Sequence, residues 1–148
     1  MKVIAANNSA NYNFTIINKI EAGMVLTGSE VKSLWVNTGS IRGSYIIEQN
    51  GELWLSNSFI KKYNNASDTN YEPSRNRKLL VTKKEFNKII GLIHQGGHTI
   101  VPITLYFSDK GLVKLTCGVA KGKKKIDKRE SIKQRQWNIK KQRLLKNN

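Results

Sequence analysis

Cysteine, histidine and acidic side chains are all scarce in this sequence, and each shortage removes a class of chemistry. The single cysteine, Cys117, has no partner in the chain for a disulfide. With only His94 and His98 beside it, no set of ligands stands at zinc-site spacing. Disulfide and zinc scaffolds are not expected, nor is any metal or other cofactor, and the two histidines read as ordinary loop residues. The ten acidic residues are scattered, none accompanied by a recognisable nucleophile, base or phosphate-cradling loop, so nothing reads as a catalytic centre. No apolar run approaches the roughly 20 residues that span a bilayer. The opening Met1-Lys2-Val3-Ile4-Ala5-Ala6 turns polar at Asn7, too soon for the apolar stretch of a signal peptide. The expectation is a cytoplasmic, non-enzymatic protein that does not enter membranes.

What the chain has in excess is positive charge: 26 Lys and Arg against 10 Asp and Glu, a net +16 over 148 residues. Polyanions are the natural partners. The charge is uneven. Residues 1–120 hold 14 basic and 8 acidic residues, whereas 121–148 hold 12 basic residues with only Asp127 and Glu130. That last segment offers few apolar side chains to bury (Ile126, Ile132, Trp137, Ile139, Leu144 and Leu145), too few to offset its ordering entropy. We therefore divide the chain into a folded unit, 1–120, and a basic tail, 121–148, expected to be disordered when free. The run Lys121 to Arg129 continues through Lys133, Arg135, Lys140, Lys141 and Arg143, interleaved with Trp137. Lys and Arg neutralise phosphates and Trp stacks on an unpaired base, so RNA matches better than a merely solvated tail. As a helix, the tail sets Ile132 and Ile139 a heptad apart, and likewise Trp137 and Leu144, giving a modest apolar stripe that folds on contact with RNA.

Within 1–120 the periodicity is mainly that of strands. Ser44–Gln49 and Glu52–Ser56 flank Asn50-Gly51, a type I′ hairpin signal. Thr99–Phe107 and Leu112–Ala120 form a second pair, with Val113, Leu115, Cys117 and Val119 on one face and Lys114 and Thr116 on the other. Pro102 lacks an amide donor, which requires an edge or a bulge. Further strands are expected over Asn13–Lys19 and Met24–Val36, the latter with room for a short helical turn. One helix, about 82–94, is signalled by the capping box Thr82/Glu85 and by Phe86, Ile89, Ile90 and Ile93 at helical spacing. Strands, one inserted helix and more strands predict a mainly β, OB-fold-like antiparallel barrel. Trp54 reads as core, Trp137 as exposed, and Trp35 is open.

Two further groups invite a role. Arg75 and Arg77 read either as a charged loop leading into buried Leu79 and Leu80 or as bidentate phosphate contacts. Glu21 and Glu30 would repel phosphate, so each is structural or accepts from a base amino group or a ribose hydroxyl, the second reading being favoured for Glu21.

Taken in order, Glu21-Ala22-Gly23, Leu26 to Leu34, Gly51-Glu52, Arg75 to Leu80, Gly118 to Lys124 and Asp127-Lys128-Arg129 resemble the signature blocks of the SmpB family over nearly the whole chain. The resemblance implies a barrel that binds the tRNA-like domain of tmRNA and a tail that enters the vacant mRNA channel of a stalled ribosome. The protein and its RNA then stand in for a tRNA in trans-translation, with elongation factor Tu and GTP involved indirectly through aminoacyl-tmRNA. Carried over by motif, Glu21, Leu80 and Lys114 face tmRNA, and Lys123 and Lys124 add phosphate contacts. Asp127, Lys128 and Arg129 match the motif read in the decoding region, and a helix from roughly Ser131 to Lys146, with Lys133, Arg135, Trp137, Lys140, Lys141 and Arg143, lies along the channel. A monomer is expected.

Three positions depart from the family pattern: Asn8 replaces an arginine of an early Asn-Arg-x-Ala block, Trp35 an arginine after Ser-Leu, and Ile126 a residue that is often His or Tyr. The competing readings are a structural ribosomal protein or general RNA chaperone, and an RNA-processing enzyme, which the shortage of clustered carboxylates disfavours.

Overall fold

In the computed structural model, which describes residues 1–36, 39–63, 70–122 and 134–141, the apolar alternation of the sequence becomes a seven-stranded sheet. In chain order the elements are β1 (Lys2–Ala6), α1 (Ala10–Asn13), β2 (Phe14–Met24), α2 (Gly28–Val36), β3 (Tyr45–Gln49), β4 (Glu52–Ser56), β5 (Arg77–Leu80), α3 (Lys83–His94), β6 (His98–Phe107) and β7 (Val113–Gly122). Every pairing is antiparallel, in the order β1-β6-β7-β2-β5-β4-β3. The sheet curls until β3 packs near β6, yet no ladder joins β1 to β3 among the described residues. The result is the expected mainly β, partly closed, OB-like architecture with α3 inserted between β5 and β6.

Local chemistry accounts for most of these elements. Asn50 (φ 54°) and Gly51 (φ 79°) take the two positive-φ positions of the turn between β3 and β4. Pro102 sits where the β6–β7 register shifts, a bulge that accommodates its missing donor. Val113, Leu115, Cys117 and Val119 are all buried on one face of β7, joining Leu53, Leu55, Leu79 and Leu105 in the principal core. Thr82 and Glu85 close the capping box of α3, whose Ile89 is buried and whose Phe86, Leu92 and Ile93 pack against the same core. Burying a side chain of that size contributes about 1.5–3 kcal/mol.

Several expectations change. The segment Met24–Val36 is not a strand: β2 ends at Met24 and α2 follows. The Thr27 hydroxyl accepts from the Glu30 amide at 3.3 Å, and the Glu30 carboxylate accepts from the Thr27 amide at 2.9 Å, a second capping box that the apolar spacing of Val31 and Leu34 conceals. Trp54 is half-buried on the outer face of β4, because the core phase belongs to Leu53 and Leu55. Neither histidine lies in a loop: His94 ends α3 and His98 opens β6. Arg77–Leu80 is a strand paired with both β2 and β4, and its alternation buries Arg77 and Leu79 while exposing Leu80.

The phosphate-facing reading of Arg77 is thereby corrected, since this side chain is 0% exposed. Its Nε donates to Glu30 Oε2 at 2.8 Å, its Nη1 to Ser58 Oγ at 2.9 Å and its Nη2 to the Pro73 carbonyl at 2.9 Å. Arg75, at the rim, donates to Glu30 through Nε at 3.2 Å and also through Nη2. Burial alone would push the Glu30 carboxyl up, but hydrogen bonds from Arg75, the Thr27 amide and Arg77, with the charge of Arg77, hold it below its ordinary value of 4.5.

Two consequences can be measured. Arg77→Ala leaves a buried carboxylate with one rim partner, and equilibrium urea unfolding at neutral pH is expected to show a loss of about 3–5 kcal/mol. Because the Glu30 pKa is depressed in the folded state, its contribution is present above its unfolded value, about 4.3, and is lost as pH falls below that. Unfolding curves from pH 7 to 3 should therefore show the stability gap between the natural protein and Glu30→Gln narrowing in acid.

Candidate nucleic-acid interface

The register of the curled sheet assembles one face from residues far apart in sequence. Tyr106 of β6 lies opposite Lys114 of β7, Lys114 opposite Gly23 of β2, and Gly23 opposite Leu80 of β5, forming one transverse row on the outer surface. In the neighbouring row Thr104 lies opposite Thr116, and Thr116 opposite Glu21. The flanking positions Leu79, Ala22, Leu115, Leu105 and Phe107 point into the core, so period-2 alternation sends the candidate set outward. Glu21, Leu80 and Lys114 are thus brought together. Leu80 is 51% exposed. Gly23 keeps the surface between Leu80 and Lys114 low, since a Cβ there would stand 3.4 Å from Leu80 Cβ.

Glu21 is not a loose surface carboxylate. The Tyr106 phenol donates to its Oε2, and the Thr116 hydroxyl lies 3.0 Å from Oε2 and 3.2 Å from Oε1. As β7 runs between β6 and β2, the Tyr106 side chain crosses it to reach Glu21. Burial, then the hydrogen bond to Glu21 and its charge, push the Tyr106 phenol up to about 12. Among the described residues neither Glu21 nor Lys114 forms an ion pair. Such a carboxylate accepts from N–H or O–H groups and repels phosphate oxygens. Beside Leu80 the face continues into a cleft of about 290 Å³ bordered by Gly51, Glu52, Lys78, Lys83 and Phe86.

Of the sequence-derived candidates, Glu21, Leu80 and Lys114 share this face, Arg75 sits at the rim of the Glu30 cluster, and Arg77 is inside. Arg135, Trp137, Lys140 and Lys141 lie in a helical stretch, 134–141, with exposed side chains, Arg135 standing 5.7 Å above the Tyr12 ring. Lys123, Lys124, Asp127, Lys128, Arg129, Lys133 and Arg143 fall outside the described residues, as does the departure at Ile126. Trp35, open from sequence, stacks on Phe107 at 4.4 Å with Lys2 Nζ 4.5 Å from its ring centre, and is still 52% exposed. Tyr106 and Thr116 are the members that sequence reasoning missed. The outward phase of Thr116 was legible, whereas the unbroken Leu105-Tyr106-Phe107 run hides which of its members turns outward.

Cys117 offers no competing chemistry, as burial, then the charge of Glu21, push its thiol up to about 12. No helix among the described residues is long and apolar enough to cross a membrane.

Known proteins agree with this architecture. The family model described as SmpB protein matches residues 4–147. An SsrA-binding protein of Wolbachia pipientis (strain wPip) is 49% identical over 148 residues, covering 100% of this chain and 99% of the relative. Another, of Ehrlichia canis (strain Jake), is 50% identical, covering 100% of both. A solved structure described as "tmRNA-SmpB: a journey to the center of the bacterial ribosome" superposes with a TM-score of 0.67 at 36% identity, covering 89% of this chain and 95% of its own. With a family model spanning almost every residue and relatives matched end to end at about half identity, this chain belongs to the SmpB family.

Proposed function

We propose that this protein binds the tRNA-like domain of tmRNA and delivers it to stalled ribosomes, catalysing no bond change itself. The observation that carries this reading is the convergence of Glu21, Leu80 and Lys114 on one face of a chain whose relatives are named SsrA-binding proteins. The face combines what recognition of folded RNA needs. Lys114 answers phosphate, Leu80 offers an apolar surface to a base or ribose, and Glu21 accepts from a base amino group or a 2′-hydroxyl.

The division of labour follows the charge. The barrel reads shape and a few donor groups, while the tail beyond Gly122, which holds 11 basic residues against Asp127 and Glu130, supplies phosphate neutralisation in the mRNA channel. Asp127, Lys128 and Arg129 act at the decoding region, and Lys133, Arg135, Trp137, Lys140, Lys141 and Arg143 act along the channel. Arg75 is a rim residue whose guanidinium is engaged with Glu30, and Lys123 and Lys124 add phosphate contacts. The protein works in the cytoplasm, as a monomer, and meets elongation factor Tu through the aminoacyl-tmRNA.

Two measurements test this. The full chain and a 1–122 truncation, which keeps the Phe14–Gly122 pairing of β2 and β7 intact, should both prefer a tmRNA tRNA-like fragment over an ordinary tRNA competitor at physiological salt, the truncation more weakly. Equal affinity for both RNAs would replace the delivery role with general RNA binding. For the full chain, Lys114→Ala should reduce the slope of log affinity against log salt by about 0.7–0.9, the loss of one phosphate contact, whereas Leu80→Ala should weaken binding with the slope unchanged.

A further inference from the structure

Glu21 stands at the centre of the interface in a protein of net charge +16, and its partners are two neutral hydroxyls from two other strands. A free glutamate on a strand surface samples several rotamers, and the positive potential of this molecule would draw it toward a lysine. Here Lys114 lies on the adjacent row, yet the carboxylate is held by Tyr106 and Thr116 instead. Tyr106 is only 8% exposed, and its hydroxyl is committed to Glu21. A buried aromatic residue in an outward strand position has little rotameric freedom, since its side chain turns on only two χ angles, and so holds its hydroxyl in place.

We infer that Tyr106, seconded by Thr116, is the positioning residue that presents Glu21 to RNA and thereby makes the face select for a donor group at that point. The inference rests on the reading of Glu21 as an RNA contact. A carboxylate oxygen accepts more than one hydrogen bond. With Tyr106 and Thr116 both donating to Oε2, the remaining acceptor capacity lies chiefly on Oε1 of this exposed residue. The group that fits there is an exocyclic amino or ring N–H of an unpaired base, or a ribose 2′-hydroxyl. A phosphate is excluded, because the carboxylate remains unneutralised by any ion pair among the described residues. Tyr106 does not touch the RNA. It acts by keeping Glu21 from swinging to Lys114, which would at once remove the acceptor and neutralise the lysine needed for phosphate.

The test is a double-mutant cycle with Tyr106→Phe and Glu21→Gln, read as affinity of the full chain for the tmRNA tRNA-like fragment over a salt series. Tyr106→Phe keeps the ring and its packing and removes only the donor, so the unfolding midpoint serves as the control for structure, with Thr116→Val as the second variant. Tyr106→Phe is expected to weaken binding about 10-fold, the size of one hydrogen bond to a charged group. It should also lower the salt slope, by at most the ~0.7–0.9 of one phosphate contact as Lys114 is drawn to Glu21, and should add almost nothing in the Glu21→Gln background. A merely structural role would weaken both backgrounds alike, and that result overturns the inference. So does full affinity in both Tyr106→Phe and Thr116→Val when Glu21→Gln is impaired. If Glu21→Gln itself binds as well as the natural protein, the assignment of Glu21 as an RNA contact fails first, and the positioning role fails with it.

Discussion

An ionised carboxylate withdrawn wholly from water is destabilising unless its charge and lone pairs are met by donors of fixed geometry. Glu30 satisfies that condition through two arginines and the amide of Thr27, and much of the molecule is arranged to allow it. The same side chain caps α2, joins that helix to β5 through Arg77, and, through the further bonds of Arg77, is linked to Ser58 beyond β4 and Pro73 before β5. β5 carries Leu80 three residues beyond Arg77. The position of exposed Leu80 is thus coupled to a buried ion cluster on the other face of the same short strand.

The contrast between Glu30 and Glu21 explains how a strongly basic chain uses its few acids. Glu30 is enclosed and matched by guanidinium, so it contributes to architecture and leaves no net attraction for a ligand. Glu21 is on the surface and matched only by hydroxyls, so its charge remains available to shape what can approach. Cations scattered over the surface and concentrated beyond Gly122 give long-range attraction to any polyanion, which is why they discriminate little between RNAs. Discrimination needs short-range groups with direction. In the proposed reading these are one acceptor, one apolar side chain and one lysine, arranged around a glycine that keeps the surface open.

The hairpin at Asn50-Gly51, the bulge at Pro102, the buried phase of β7 and helix α3 were legible because each rests on a local rule: positive φ, a missing donor, alternation, a capping box. α2 was not, although Thr27-Gly28-Ser29-Glu30 carries the same capping pattern as Thr82 to Glu85. Its apolar residues are few, and Glu30 serves both as cap and as buried ion. Trp54 was assigned to the wrong side for a related reason. In so short a strand the core phase is decided by which residues the partner strands present, and Leu53 and Leu55 occupy it.

What the sequence by itself determined is chemistry and local form: a basic chain with an acid-poor end, a sheet-forming pattern with one clear helix, and family blocks that name Glu21, Leu80 and Lys114 without saying how they meet. Tertiary structure alone decided that these three share a face, that Arg77 turns inward to Glu30, and that Tyr106 reaches across β7 to Glu21. The physical reason is that strand register and strand order are properties of pairings between residues far apart in the chain, such as Thr116 and Glu21, 95 positions apart, and no local rule encodes which strand will lie beside which.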